Sequence, residues 1–208
     1  MRLETDKFPT CPVTDYDRDV RAKLENGDVL ICSGSGIFSA MIQQATGSVW
    51  SHVGIILRLD SIDRVMLLES VEPIGVRTVR LSKYLKDYGN DGNAYPGGLA
   101  IIRHKQFEKA AKKKLNELAK YAVDCFGYPY DKDEIAKIAA RIMASKIPFT
   151  KKQMKKIVPD KEFICSEYVA RCYREIGITV QWNKKGFIAP SDFADDPNFD
   201  LVAVLQKK

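Results

Sequence analysis

Phe163-Ile164-Cys165-Ser166-Glu167-Tyr168-Val169 is the stretch whose reading decides the fold. A cysteine opens an apolar, helix-patterned run. Cys165, Val169, Cys172 and Ile176 recur at heptad-like spacing and share one helix face, and Gly177 stands where a helix ends. A free cysteine is most often a small core hydrophobe. Cys165, however, occupies the first turn, where free backbone N–H groups and the helix dipole favour an anion. Such positions lower thiol pKa values, and the same N–H groups can hold the oxyanion of an acyl-transfer intermediate. Cys11 lies in a polar leader, Cys32 in a strand-like run, Cys125 at a helix end and Cys172 deeper in the same helix. None of them has that setting.

A nucleophilic thiol needs a base, and the chain has two histidines, His52 and His104. His104 stands between Arg103 and Lys105 and reads as a surface residue. His52 opens the strand-like run Ser51-His52-Val53-Gly54-Ile55-Ile56. Gly54, two residues on and on the same strand face, leaves space beside the imidazole. A second strand, Val65–Val71, follows a short polar link at Asp60-Ser61. A tight turn there sets His52 directly opposite Glu69, with both side chains on one face; a slip of one residue would separate them. Glu69 ends an apolar run and needs a partner. Glu72 is its rival, nearer the exposed end of the hairpin.

Further strands are expected at Asp28–Cys32, Gly75–Arg80, Leu99–Arg103 and Leu201–Leu205. Helices are expected near Tyr16–Leu24, over Ile37–Thr46, Leu81–Tyr88, Gln106–Asp124, Asp133–Ala144 and Cys165–Ile176, with a helical turn at Pro190. Strands, then helices, then a strand indicate an α+β fold with an antiparallel sheet. Residues 1–25 read as an arm packed on one domain spanning 26–208, with a lysine-rich insertion near 145–161.

The 208 residues carry a net charge of +6, which is compatible with an anionic partner without requiring one. Five cysteines without a CxxC pair argue against a disulfide framework and fit a reducing compartment. No zinc module, Walker motif or dinucleotide fingerprint is present, so no cofactor, metal or nucleic-acid partner is expected. The polar N-terminus lacks a signal-peptide core, and no run reaches the length of a membrane span; a cytoplasmic protein is the expectation.

Ser51-His52-Val53-Gly54, then Glu69, then Gly127-Tyr128-Pro129-Tyr130-Asp131, then Cys165-Ser166-Glu167 resembles the circularly permuted branch of the papain-like NlpC/p60 superfamily. The resemblance runs from about residue 26 to 193 and rests on the order of the motifs. It implies a small antiparallel sheet or half-barrel packed on the cysteine helix, and a triad of Cys165, His52 and Glu69. It also puts Tyr130 near the cleft; Tyr130, Ser166 and Gly54 are the expected substrate contacts. Relatives include amidases and peptidases, and acyltransferases or lipases. The leading expectation is a cysteine hydrolase of an amide or peptide bond. A lipid acyltransferase or lipase at an anionic membrane surface, touched by the basic apolar insertion, is the alternative. A non-enzymatic binding module of the same fold is the third reading.

Overall fold

The computed structural model describes residues 2–107, 112–131, 164–181 and 187–207. The expected helix over Asp133–Ala144 and the lysine-rich insertion lie outside these residues.

The core is a six-stranded antiparallel sheet. Its strands are β1 (Val29–Gly34), β2 (His52–Leu59), β3 (Arg64–Val71), β4 (Gly75–Arg80), β5 (Gly97–His104) and β6 (Phe199–Gln206). Their spatial order is β4-β3-β2-β1-β5-β6. The sheet is open rather than closed into a barrel. β1 lies in the middle and is buried along all six residues, which is why it reads as an unbroken apolar run. β4 is an edge strand; Gly75 and Val76 are buried, and the rest alternate between half-buried and exposed positions.

Both faces of the sheet are covered. Val29, Ile31, Val53, Ile55, Leu68, Ala100 and Ile102 point to one side. There they meet α3 (Lys112–Asp124) and α4 (Cys165–Glu175) through Leu118, Ala122, Tyr168, Val169, Cys172 and Tyr173. Leu30, Cys32, Ile56, Leu67, Leu99 and Ile101 point to the other side. They are covered by Tyr16, Val20 and Leu24 of the N-terminal segment and by Leu81 and Tyr84 of α2 (Leu81–Lys86). The period-two alternation of strand side chains makes these two cores from one sheet.

The leader is tied down. Leu3 is buried, Phe8 lies 5.3 Å from Trp50, and the Trp50 indole donates to the Glu4 carbonyl at 2.8 Å. The expected helix at Tyr16–Leu24 is a wide turn over Tyr16–Val20 followed by a tight one over Arg21–Lys23. α1 (Ile37–Thr46) follows β1 and is closed by Gly47 at φ 65°. None of its ten residues is buried. α5 (Pro190–Asp195) begins on a proline, where the missing N–H costs nothing.

His104 corrects an expectation. It is buried within a cluster of Phe107, Tyr173 and Phe199, with ring centroids 4.9–6.3 Å from its own. Its flanking charges diverge because side chains alternate on a strand: Arg103 reaches Asp28 at 2.7 Å, while the imidazole faces the core and its Nδ1 accepts the Gln106 N–H at 3.2 Å.

Candidate active site

The site forms where β2 begins, beside the first turn of α4. β2 and β3 pair with Ile55 opposite Leu68 and Leu59 opposite Arg64. This register differs by two residues from the one a tight turn would impose. The link is a helical turn over Asp60–Ile62, closed by Asp63 in the left-handed region at φ 49°. A slip of two keeps every side chain on its face, whereas a slip of one would invert the strand. His52 and Glu69 therefore meet diagonally, and the His52 Nε2 donates to Glu69 Oε2 at 2.7 Å.

Glu69 is fully buried and every side of its carboxylate is held. Arg77, opposite it on β4, donates from Nε to Oε1 at 3.0 Å, and its Nη2 lies 2.9 Å away. The Tyr84 hydroxyl on α2 donates to Oε2 at 2.5 Å. Burial raises the Glu69 pKa, but His52, Arg77 and Tyr84 together outweigh it and hold the carboxyl below its ordinary 4.5. Glu69 is thus a charged acceptor in a dry place, the condition under which ion pairs are strongest.

His52 shows the same balance with the opposite sign. Burial opposes the imidazolium, but the charge and hydrogen bond of Cys165, followed by those of Glu69, push its pKa up to about 10. An NMR titration of the two imidazoles is a direct check. His52 is expected to stay protonated through neutral pH, and His104, lowered chiefly by burial, to be neutral there. Cys165→Ala is expected to move the His52 midpoint down and leave that of His104 in place.

Cys165 opens α4, as the sequence indicates, and is nearly buried between two depressions. One is a polar cleft of about 150 Å³ that includes His52, Ser51, Ser70, Glu72, Tyr84, Tyr88 and Tyr95 in its wall. The other is an apolar slot of about 20 Å³ whose wall includes Ile164, Phe187, Ala189 and Pro190. Cys165, Tyr130 and Ile42 line both. Burial and the neighbouring Cys165 charge raise the pKa of Tyr130, so its hydroxyl keeps its proton.

Cys165, His52, Glu69 and Tyr130 are thus brought together; Ser166 and Gly54 have other partners. The Ser166 hydroxyl donates to the Ile188 carbonyl at 2.7 Å and anchors the helix start. Gly54 lines neither depression, and the space of its missing side chain is filled. A Cβ there would lie 2.7 Å from Leu67 Cδ1 and 3.1 Å from the Leu68 carbonyl. Its bareness serves the close approach of β2 and β3. Glu72 lines the polar cleft without being the carboxylate that meets His52.

Sequence reasoning missed three neighbours of the site. Arg77 was readable as an arginine on the strand next to a carboxylate in an apolar run. Tyr84 carried no such signal, because α2 has to fold back before its hydroxyl reaches β3. Cys32 lies directly across from His52 on β1. Burial, and then the charges of Glu69 and Cys165, push its thiol well above the usual range, so it stays protonated and inert.

A family model for permuted papain-like amidase enzymes, the YaeF/YiiX or C92 family, matches residues 23–147. The matched stretch contains His52 and Glu69 and ends before Cys165. Among solved structures, a crystal structure of YiiX from Escherichia coli O157:H7, described as a metalloprotein, superposes with a TM-score of 0.61 at 19% identity, covering 88% of this chain and 98% of its own. That likeness concerns the fold. No curated protein sequence matches the chain. With more than half of its length matched, the chain belongs to the YaeF/YiiX (C92) family of permuted papain-like amidases, which are cysteine-dependent hydrolases.

Proposed function

We propose that the protein hydrolyses an amide bond through Cys165, with His52 as its base and Glu69 as the group that orients the base. The observation that carries this is the charged His52–Glu69 pair at 2.7 Å beside a thiol at a helix start. With Nε2 committed to Glu69, Nδ1 is the ring atom left to take the Cys165 proton. The sulfur attacks the amide carbonyl, and the carbonyl π pair moves onto oxygen. Backbone N–H groups of the first turn of α4, joined by the Tyr130 hydroxyl, stabilise that oxyanion. His52 then gives its proton to the departing amine as the C–N bond breaks, leaving a thioester. Water, deprotonated by His52, attacks the thioester, and the thiol is restored as the acid departs.

The size of the apolar slot bears on the substrate. About 20 Å³ is room for a group the size of one water or methyl. This favours a short side chain next to the scissile bond, as in a peptide, over an extended acyl chain. A second reading, acyl transfer to or from a lipid at a membrane surface, draws on α1. That helix lines both depressions through Ile42 and leaves Ile37 87% exposed and Met41 38% exposed. No helix among the described residues is long and apolar enough to cross a membrane.

The donor set of the described residues does not fit a metal. Among the described residues no three His, Cys, Asp or Glu side chains are grouped as ligands, and both Glu69 oxygens are engaged. No step above depends on one.

Acyl trapping tests the proposal. Incubation with the p-nitrophenyl ester of N-acetylalanine, followed by mass spectrometry of peptides, is expected to show an acetylalanyl adduct on Cys165. His52→Ala is expected to abolish it. No adduct, or equal labelling of Cys11, would overturn the assignment. A decanoyl ester that labels faster than the alanyl ester would favour the lipid reading.

A further inference from the structure

A second cavity lies away from Cys165, where the turn at Tyr16–Val20, the outer ends of β3 and β4, and α2 meet. It measures about 310 Å³, roughly twice the polar cleft at Cys165. Tyr16, Asp17, Arg21, Arg64, Val65, Arg80, Ser82 and Lys86 form its wall. Four of these residues are cationic and one is a carboxylate.

The charges in this cavity are only partly balanced. Lys86 pairs with Asp17 at 2.6 Å. Arg21 pairs at 2.6 Å with Asp63, which stands outside the cavity wall. Arg64 donates to the carbonyls of Ile62 and Asp63, which supply no net charge. The Arg80 guanidinium has no hydrogen-bond or ion-pair partner among the described residues. After both carboxylates are counted, two positive charges remain among the described residues, on Arg64 and Arg80. The β3–β4 register places Met66 opposite Arg80, so Arg64 is the diagonal neighbour on the same strand face. Two like charges at such spacing repel, and the concave wall concentrates their field.

We propose that this cavity binds a phosphate group, with Arg64 and Arg80 as its charged ligands and Ser82 and Tyr16 as hydroxyl donors. A phosphate dianion matches the two residual charges, and a planar guanidinium engages two phosphate oxygens at once. Burial raises the Tyr16 pKa, so its hydroxyl is a donor. The volume exceeds that of a bare phosphate and suits a phosphomonoester carrying a small organic part. The site is separate from the thiol chemistry and stands whether or not Cys165 is the nucleophile.

Thermal unfolding of the full chain in sodium phosphate, against sodium chloride at equal ionic strength, tests the site. Phosphate is expected to raise the midpoint in a concentration-dependent way. By calorimetry, Arg64→Gln and Arg80→Gln singly are each expected to weaken phosphate binding about tenfold, and the double variant to abolish it. Circular dichroism and unchanged acyl trapping at Cys165 would show that each variant is folded. No phosphate-specific shift in the wild type, or an equal shift in the folded Arg80→Gln variant, would overturn the proposal. Vesicles of phosphatidylcholine with phosphatidic acid separate the two sources of the group. Binding by wild type but not by Arg64→Gln/Arg80→Gln, competed by inorganic phosphate, would assign the site to a lipid headgroup. Stabilisation by phosphate without vesicle binding would assign it to a soluble phosphomonoester.

Discussion

Cys165→Ala is expected to reduce amide hydrolysis to the background rate, and His52→Ala to do the same. In enzymes where nucleophile and base act as one unit, either loss costs on the order of 10⁶ in kcat, and the double variant is no worse than either single one. The same non-additivity is expected here, because each residue is useless without the other. The thiol is a poor nucleophile unless the imidazole holds its proton, and the imidazole has nothing to hold without the thiol. Kinetics of both single variants and the double on one amide substrate provide the check. A double variant that loses the product of the two single factors would show independent action and sink the paired mechanism. Neither change is expected to unfold the chain. Cys165→Ala removes one atom at the mouth of a cleft, and in His52→Ala the Glu69 carboxylate still has Arg77 and Tyr84 as partners.

Glu69→Gln is expected to cost on the order of 10⁴ in kcat with little change in KM, the scale seen when the carboxylate behind a catalytic histidine becomes an amide. Glutamine keeps the shape and loses the charge, so the imidazolium forfeits one of its two anionic partners and the His52 pKa falls. Arg77→Met has a smaller and different effect. It leaves the carboxylate in place with His52 as its remaining countercharge, while burial still raises the pKa. The acidic limb of the kcat/KM profile is then expected to move to higher pH, and Arg77→Lys to restore it in part. A uniform loss of rate with an unmoved profile would make Arg77 merely structural. The groups facing Glu69 are His52 on β2, Arg77 on β4 and Tyr84 on α2; Cys32 on β1 and Tyr88 feel its charge and are themselves held neutral. For stability the sign is fixed by the same shift. The Glu69 pKa is held below 4.5, so its contribution is complete above that value and is lost as the pH falls through the lowered one.

Much of this architecture was legible in local patterns. Buried central strands read as apolar runs, as Val29–Cys32 does, and α1 appeared over the residues its spacing marked. The positions of Cys165 and His52 followed from what starts a helix and what starts a strand. The register of the β2–β3 hairpin was not legible, since Asp60-Ser61 does not reveal that Ile62 and Asp63 also join the turn. The pairing survived because an even slip preserves the face. His104 was misread for a reason of the same kind: its flanking charges describe the other side of the strand. Tyr84 and the basic cavity depend on α2 and the N-terminal turn coming together, which no local pattern encodes.

His52 and Glu69, the proposed base and its carboxylate, sit 17 residues apart on one hairpin, whereas the thiol comes from the last quarter of the chain. During synthesis the hairpin leaves the ribosome first, because chains emerge and fold from the N-terminus. His52, Glu69 and Arg77 can therefore assemble as a short-range unit at low loop-closure cost. The sulfur joins only when α4 docks, over a separation of 113 residues. On the proposed mechanism the nascent protein is thus chemically silent until its fold is nearly complete, because the thiol meets its base only in the finished fold.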